Sequence, residues 1–378
     1  MTISGRHSLV RWTSGRFVVP RGMQAMVVAL LLLGCSSNSC LTCIEGVDPD
    51  RLVDPITLGD GSGYPGASWT VVRDPKLLGW SEKRLRSLTD YADDLESDGF
   101  MVVDRGVVVW QHGNVDRNLI VQSCRKSYLA SLYGIYHAQG LIPLDATMGD
   151  LGIDDLPPSL TDQEKLATVE QLLMARSGVY HEAAAESQSM KDARPPRGSH
   201  APGTFWYYNN WDFNVLGTLF IQLTGRDVFQ ALFDDFAVPL QMQEFQPSNG
   251  QYYYEEMSVH PAYHFSMSPR DMARFGLLIL RDGRWRGQQL IPASWVERML
   301  VPYSDAGSTW DYSYMWWIGK PEAWEGHTIY AARGGSGQAV YVVDDMDLVI
   351  THKVDNAWRG GWTDVNALVR MILDAKVF

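Results

Sequence analysis

The 378-residue chain is 46% hydrophobic, 11% aromatic and 20% charged, which supplies a large packed core and sets it apart from disordered and fibrous chains. Its formal net charge of −12 excludes a nucleic-acid partner, because phosphate recognition needs a Lys/Arg surplus on some face and none occurs beyond the N-terminal segment. Small neutral or weakly charged substrates suit it better, handled by one large domain or two intimate lobes.

The N-terminal segment reads as an address. Arg6, Arg11, Arg16 and Arg21 precede an uncharged run from Met23 to Leu33, too short to span a bilayer and the right length for a secretory h-region. Leu32-Leu33-Gly34-Cys35-Ser36 then resembles a bacterial lipobox. The resemblance implies that residues 1–34 are a lipoprotein signal peptide, that Cys35 carries lipid, and that the protein is exported to the cell envelope, tethered to the membrane and facing the periplasm. An ordinary signal peptide cut nearby is the alternative. Cys40 and Cys43 form a C-x-x-C with no second ligand pair at metal spacing, so neither a metal nor a cofactor is expected. Residues 35–69, rich in Ser, Gly, Asp and Pro without periodicity, read as a flexible tether, and residues 70–378 as the folded domain, its ordered body starting near Asp74.

Ser81 caps an expected helix to Leu95, with Leu85, Leu88, Tyr91 and Leu95 at helical spacing. Phe100–Val103 and Val107–Trp110 read as strands joined by a hairpin at Asp104-Arg105-Gly106. A helix follows Ser123, and Thr168 with Gln171 forms a capping box for another running to Arg176. Further helices are expected over Asn210–Leu223, Asp227–Phe236 and from Ser268-Pro269 to Gly283. After Gly283 the period changes to two: Tyr314–Ile318, Thr328–Ala332, Ala339–Val343 and Leu348–Lys353 read as strands, and Thr363–Ala375 as a closing helix. Strands at both ends with helices between define an α+β fold, an antiparallel sheet built from both chain ends and flanked by helices, with an all-helical lobe inserted over about 123–283.

Chemistry concentrates at three places. Ser123-Cys124-Arg125-Lys126 puts a hydroxyl and an amine one turn apart on one helix face, a nucleophile beside its base. Near the helix N-terminus the free N–H groups favour a developing alkoxide or oxyanion. Cys124 faces elsewhere and reads as a small packed side chain. Tyr208 and Asn210, in Tyr-x-Asn ahead of a helix, supply a phenol that can act as general base beside an ammonium and an amide that can orient the substrate and the lysine. Ala332-Arg333-Gly334-Gly335-Ser336-Gly337-Gln338 lets backbone approach a ligand, so that an N–H of Gly335 completes an oxyanion hole with that of Ser123. Each motif alone recurs by chance; their order and joint presence carry the reading. G-x-S-x-G, zinc-binding and phosphate-loop patterns fail on spacing.

At these places the chain resembles the serine β-lactamase and penicillin-binding-protein superfamily, in its class C and serine-esterase-like branch. Supporting stretches are Leu172–Gly178, Pro202-Gly203-Thr204, Ser268–Gly276 and Trp316-Trp317. The resemblance covers roughly Leu78 to the C-terminus and implies a metal-free acyl-enzyme hydrolase with its site between sheet and helical lobe. It departs where lactamases and transpeptidases carry Lys-Thr-Gly or His-Thr-Gly: here stands Ala332-Arg333-Gly334. Arg333 is in doubt as a substrate ligand, since neighbouring strand residues point to opposite faces. Ala-Arg-Gly-x-x-Gly-Gln instead resembles the 6-aminohexanoate-oligomer hydrolases of the same superfamily, which cleave linear amides and esters.

The expected activity is hydrolysis of a small amide or ester through an acyl-enzyme on Ser123, with Lys126 and Tyr208 as proton-transfer pair, Asn210 as substrate orienter, and Arg333, Gly334 and Trp206 lining the substrate. A β-lactamase or D,D-peptidase is one alternative, and an inactive envelope protein of the same fold another. If desolvation dominates, Lys126 is neutral and can be the base; if it stays charged, it holds Tyr208 as phenolate. The class C resemblance favours Tyr208 as proton carrier.

Overall fold

Along Gln338–Val343, Ala339, Tyr341 and Val343 pack into one apolar core while Val340 and Val342 pack into another. That is the period-two alternation of a strand buried on both faces, and each buried valine contributes roughly 1.5–3 kcal/mol on leaving water. The computed structural model describes residues 52–53, 63–355 and 360–377. The signal peptide, Cys35, Cys40, Cys43, much of the tether and Trp358 lie outside the described residues.

From the N-terminus the elements are β1 (Leu52–Val53), β2 (Val71–Val72), α1 (Glu82–Asp94), β3 (Gly99–Asp104), β4 (Val107–Gly113), β5 (Leu119–Ile120) and α2 (Cys124–Ala138). There follow α3 (Val169–Leu173), α4 (Gln188–Ala193), α5 (Asn210–Thr224), α6 (Val228–Leu232), α7 (Val238–Leu240), β6 (Gly250–Glu255), β7 (Ser258–Met267) and α8 (Pro269–Leu280). The C-terminal part holds β8 (Arg284–Trp285), β9 (Gln288–Gln289), α9 (Ala293–Met299), β10 (Ser304–Asp305), β11 (Trp310–Tyr312), β12 (Trp317–Gly319), β13 (Ile329–Gly334), β14 (Gln338–Val343), β15 (Leu348–Lys353) and α10 (Trp362–Ala375).

The main sheet runs β1-β2-β4-β3-β15-β14-β13-β12-β11-β10. Its two halves join where β15 pairs antiparallel with β3, from Leu348 opposite Asp104 to Lys353 opposite Gly99, so the sheet is built from both chain ends. It is antiparallel except at β1–β2 and β2–β4. Helices α1 and α10 share one core with one face (Leu85, Leu88, Leu368 and Ile372 with Phe100 and Ile350). Helices α2 and α8 share the other core (Leu129, Phe275 and Leu278 with Met101, Val340 and Val349). Among the described residues no helix is long and apolar enough to cross a membrane.

Local chemistry sets most boundaries. Arg105 and Gly106 both have positive φ (52° and 82°), the two-residue turn that matches strand twist in a hairpin. The capping box at α3 is made by Gln171 N to Thr168 Oγ1 (3.2 Å) and Thr168 N to Gln171 Oε1 (3.0 Å). That helix stops at Leu173 rather than Arg176, because Ala175 turns left-handed at φ 57°. The expected strand 314–318 shortens to Trp317–Gly319 because Met315 also adopts positive φ (56°).

The inserted region is mainly helical but also carries the three-stranded sheet β5-β7-β6, so the expectation of helices alone is incomplete. Two features hide this hairpin in the sequence: a Glu256-Met257 turn without glycine, and Pro261 inside a strand. Pro261 is tolerated because it falls opposite the register break between Tyr253 and Glu255, where no ladder N–H is needed. The packed body also begins upstream of the expected boundary at 69. Trp69 is buried, and Arg274 donates to Gly66 O (2.9 Å) and Ala67 O (3.1 Å).

Candidate active site

Ser123 occupies the cap position of α2 with helical φ/ψ (−72°, −8°), and its side chain makes no capping bond. The hydroxyl stays free for chemistry and is half-buried, within reach of solvent. One turn on, Lys126 Nζ lies 3.0 Å from Ser123 Oγ. The start of α2 is fixed from both sides: Cys124 Sγ donates to Ala332 O (3.5 Å) and Gln338 O (3.2 Å), and Ser127 Oγ donates to Met315 O (2.7 Å). Burial pushes the Cys124 thiol up to about 12, so it stays a packed, protonated side chain rather than a nucleophile.

Tyr208 and Asn210 reach the same lysine from the head of α5. Lys126 Nζ is 2.7 Å from Tyr208 Oη and 2.9 Å from Asn210 Oδ1, and Asn210 Nδ2 donates to Ala185 O (2.7 Å). Between them Asn209 points inward, accepting from Trp211 N and donating to Val179 O (2.7 Å) and Asp212 Oδ1 (2.8 Å). Asp212 also receives the Ser177 hydroxyl, and its full burial raises its carboxyl well above the usual range. This Ser177–Asp212–Asn209 network locks the turn that presents Tyr208 and Asn210. A buried polar network of this kind is rigid only when all its members are paired, as these are.

The ammonium position sits over two rings, 4.2 Å from the Tyr208 centroid and 4.3 Å from that of Phe213. Lys126 is 2% exposed. Desolvation, reinforced by the Arg125 charge, drives its pKa well below the ordinary lysine value. Burial pushes the Tyr208 phenol up to about 12, against the Ser123 hydroxyl and Arg125, which pull it down. Burial thus disfavours the charged form of both groups, ammonium and phenolate alike.

Gly334 is buried against the start of α2: a Cβ there would stand 2.5 Å from Val121 O and 3.0 Å from Ser123 N. Gly335 is exposed and open, and a Cβ added to it would meet only Gln122 Cγ, at 4.0 Å. Strand β13 alternates faces: Ala332 belongs to the core shared with α2, Ala331 to the opposite one. Arg333 follows Ala331, and its guanidinium lies over Trp362 (3.8 Å), Trp310 (4.7 Å) and Trp317 (5.2 Å). It therefore points to the face opposite α2, touching the Tyr208 side of the site only through Trp317, which stacks on Tyr208 at 5.6 Å. Trp206 packs against Tyr312 (5.5 Å) and Trp317 (6.4 Å). It also lines a cleft of about 520 Å³ with Phe205, Tyr207 and Tyr303; Ser123, Lys126 and Tyr208 do not line this cleft.

The reading of the sequence missed Arg125, Phe213, Asp212 and Ser177. Arg125 stood in view inside the motif, but nothing in a sequence says that an arginine will find no acid. Among the described residues no group of three or more His, Cys, Asp or Glu side chains is placed to hold a metal ion.

An antiparallel sheet flanked by helices, a mainly helical insertion and a serine–lysine pair heading the helix between them define the β-lactamase/transpeptidase type of fold. The chain matches the Beta-lactamase family model over residues 56–352 and belongs to that family, whose superfamily includes serine hydrolases. No curated protein matches it significantly. Solved structures similar to it include a candidate 6-aminohexanoate-dimer hydrolase from Bacillus anthracis (20% identity, 75% of this chain and 80% of that one, TM-score 0.59). A candidate beta-lactamase from Bacteroides dorei matches at 16% identity over 78% of this chain and 99% of that one (TM-score 0.60). A D-stereospecific amidohydrolase from Streptomyces matches at 19% identity over 76% and 97% (TM-score 0.55). At these identities the likeness is one of fold.

Proposed function

We propose that the protein is a serine hydrolase of small amides or esters. The observation that carries the reading is one buried amine within 3.0 Å of the Ser123 hydroxyl, the Tyr208 phenol and the Asn210 amide oxygen. Ser123 Oγ attacks the carbonyl and its proton passes to Lys126 Nζ. The N–H groups of Ser123 and Gly335 hold the oxyanion, and Lys126 with Tyr208 returns the proton to the leaving group. Water then releases the acyl group by the reverse path. A retired site has no physical reason to keep a lysine desolvated at such cost, which disfavours an inactive envelope protein.

Amides and linear esters are preferred over penicillins as substrates for a specific reason. Where lactamases place a lysine for the substrate carboxylate, this chain has Ala332, and Arg333 turns to the opposite face. The likeness to a candidate 6-aminohexanoate-dimer hydrolase and to a D-stereospecific amidohydrolase is in keeping with this. A β-lactamase or D,D-peptidase remains the second reading, favoured by the export-like N-terminus. On that N-terminus we place a signal peptide over 1–34, lipid on Cys35, a tether over 35–69 and an address in the envelope, which radiolabelled palmitate incorporation lost in Cys35→Ala tests. For the activity, purified protein should turn over p-nitrophenyl acetate and label with a fluorophosphonate at Ser123. Undiminished turnover in Ser123→Ala would falsify the assignment, and a stable fluorescent-penicillin adduct on Ser123 would move it to the second reading.

A further inference from the structure

Arg125 is 2% exposed, and among the described residues no carboxylate accepts from it. Its Nη1 donates to Gln122 O at 3.3 Å, while Nε and Nη2 have no hydrogen-bond partner among the described residues. Its guanidinium carbon lies 5.3 Å from the centroid of the Tyr263 ring. A guanidinium stays protonated through the physiological range, and burying one without an acid costs several kcal/mol, since buried charges are ordinarily paired. The neighbours deepen the anomaly: His264 on β7 is held neutral by burial and by the Arg125 charge. The backbone of β7 also passes beside the nucleophile, with Val121 N donating to Phe265 O (2.9 Å). The charge therefore sits uncompensated one residue from Lys126.

We propose that Arg125 is a positioning residue: its unneutralised charge adds to burial in keeping the Lys126 side chain an unprotonated amine, ready to take the Ser123 proton near neutral pH. This rests on the reading of Ser123 and Lys126 as nucleophile and base. The groups facing Lys126 are Ser123, Cys124 and Arg125 from α2, Tyr208 from the preceding loop, Asn210 and Phe213 from α5, and His264 from β7. Among them there is no carboxylate. Arg125 is the one permanently charged member, and a like charge beside an amine favours the neutral form. An ordinary structural arginine would be paired. This one gives up pairing and supplies field.

The sign of the test follows. Removing the charge makes Lys126 easier to protonate, so the acid limb of kcat/KM, which reports groups of the free enzyme, moves to higher pH. R125M should shift that limb upward by about one pH unit or more, the scale of a nearby charge. On the acid side of the limb this is a loss of roughly tenfold per unit. R125K, which keeps a cation, should stay near the parent. R125M should also melt no lower than the parent, since replacing a buried unpaired charge with an apolar side chain of similar volume is neutral or stabilising. If methionine is not accommodated, R125Q removes the same charge and is read the same way.

An R125M profile that drops equally at every pH, or keeps its limb in place, overturns the proposal. So does a parent limb that moves with chloride concentration while that of R125M does not, because a bound anion would then be neutralising Arg125. Fluorophosphonate labelling of the parent at Ser123 separates the two failures. Labelling with an unmoved limb sinks only the role of Arg125, whereas absence of labelling sinks the hydrolase reading beneath it.

Discussion

Gly334 and Ser123 are in backbone contact: the position of a Cβ on Gly334 lies 3.0 Å from Ser123 N and 2.5 Å from Val121 O. Both atoms belong to main chain, which cannot rotate away as a long side chain can. Gly334→Ala must therefore push β13 off the start of α2 and carry Ser123 with it. A displacement near 1 Å costs about a hundredfold in rate, so p-nitrophenyl acetate turnover should fall by roughly that factor. The melting temperature should fall as well. Gly335→Ala, whose added methyl meets only Gln122 Cγ at 4.0 Å, should leave the melting temperature within a degree or two. Equal melting temperatures for the two variants would show that Gly334 is not the contact point.

His352 ties the turn after Gly334 to the sheet, Nδ1 lying 2.8 Å from Gly337 O and Nε2 2.9 Å from Ser97 Oγ. Burial lowers its pKa from 6.5 to about 4. Between those values the unfolded chain takes up a proton that the folded chain refuses, so stability falls as pH drops from 6.5 towards 4 and levels off below, where both states are charged. Denaturant melts across this window should show a loss of a few kcal/mol in the parent and a shallower slope in His352→Gln. Parallel slopes would mean that other groups govern the acid response.

Much of the candidate site was legible because its residues sit at fixed spacings on local structure. Ser123 and Lys126 need only a helix to meet, and Tyr208 and Asn210 share a side because Asn209 between them turns inward. The rest depended on contacts between distant segments. That β6 and β7 pair, that Trp69 enters the core, and that Arg125 is enclosed without an acid are all outcomes of packing. The face to which Arg333 points was foreseeable from strand alternation, but the indoles that hold it come from two separate parts of the chain, Trp310 and Trp317 from the β11–β12 pair and Trp362 from the start of α10.

Trp206 offers a test of where the substrate extends. Its indole stands between the Tyr312–Trp317 wall and the cleft of about 520 Å³. An aryl group on the substrate that entered this cleft would bury itself against that ring. Trp206→Ala should raise KM for p-nitrophenyl phenylacetate roughly tenfold, the scale of one lost apolar contact. It should change KM for the acetate much less. Equal effects on both esters would place the acyl group elsewhere.

Lys126 and Tyr208 give the sharpest prediction. Their 2.7 Å contact, with Ser123 Oγ 3.0 Å from the same nitrogen, makes one proton-sharing unit of three groups. In the proposed mechanism, because burial disfavours the charge on the lysine and pushes the phenol up to about 12, the amine receives the proton first and the phenol passes one on to the leaving group. Lys126→Ala and Tyr208→Phe should each lower the acylation rate by roughly a hundredfold or more, the usual scale for losing acid–base help. The double variant should lose little beyond the worse single one, because residues acting as a unit are non-additive. Lys126→Ala should abolish the acid limb of the pH profile, since that limb is protonation of the lysine, whereas Tyr208→Phe should keep it. Stopped-flow acylation of the parent and the three variants across pH decides the matter. Losses that multiply, or an acid limb that survives Lys126→Ala, would show that the two residues do separate jobs and that the lysine is not the first acceptor.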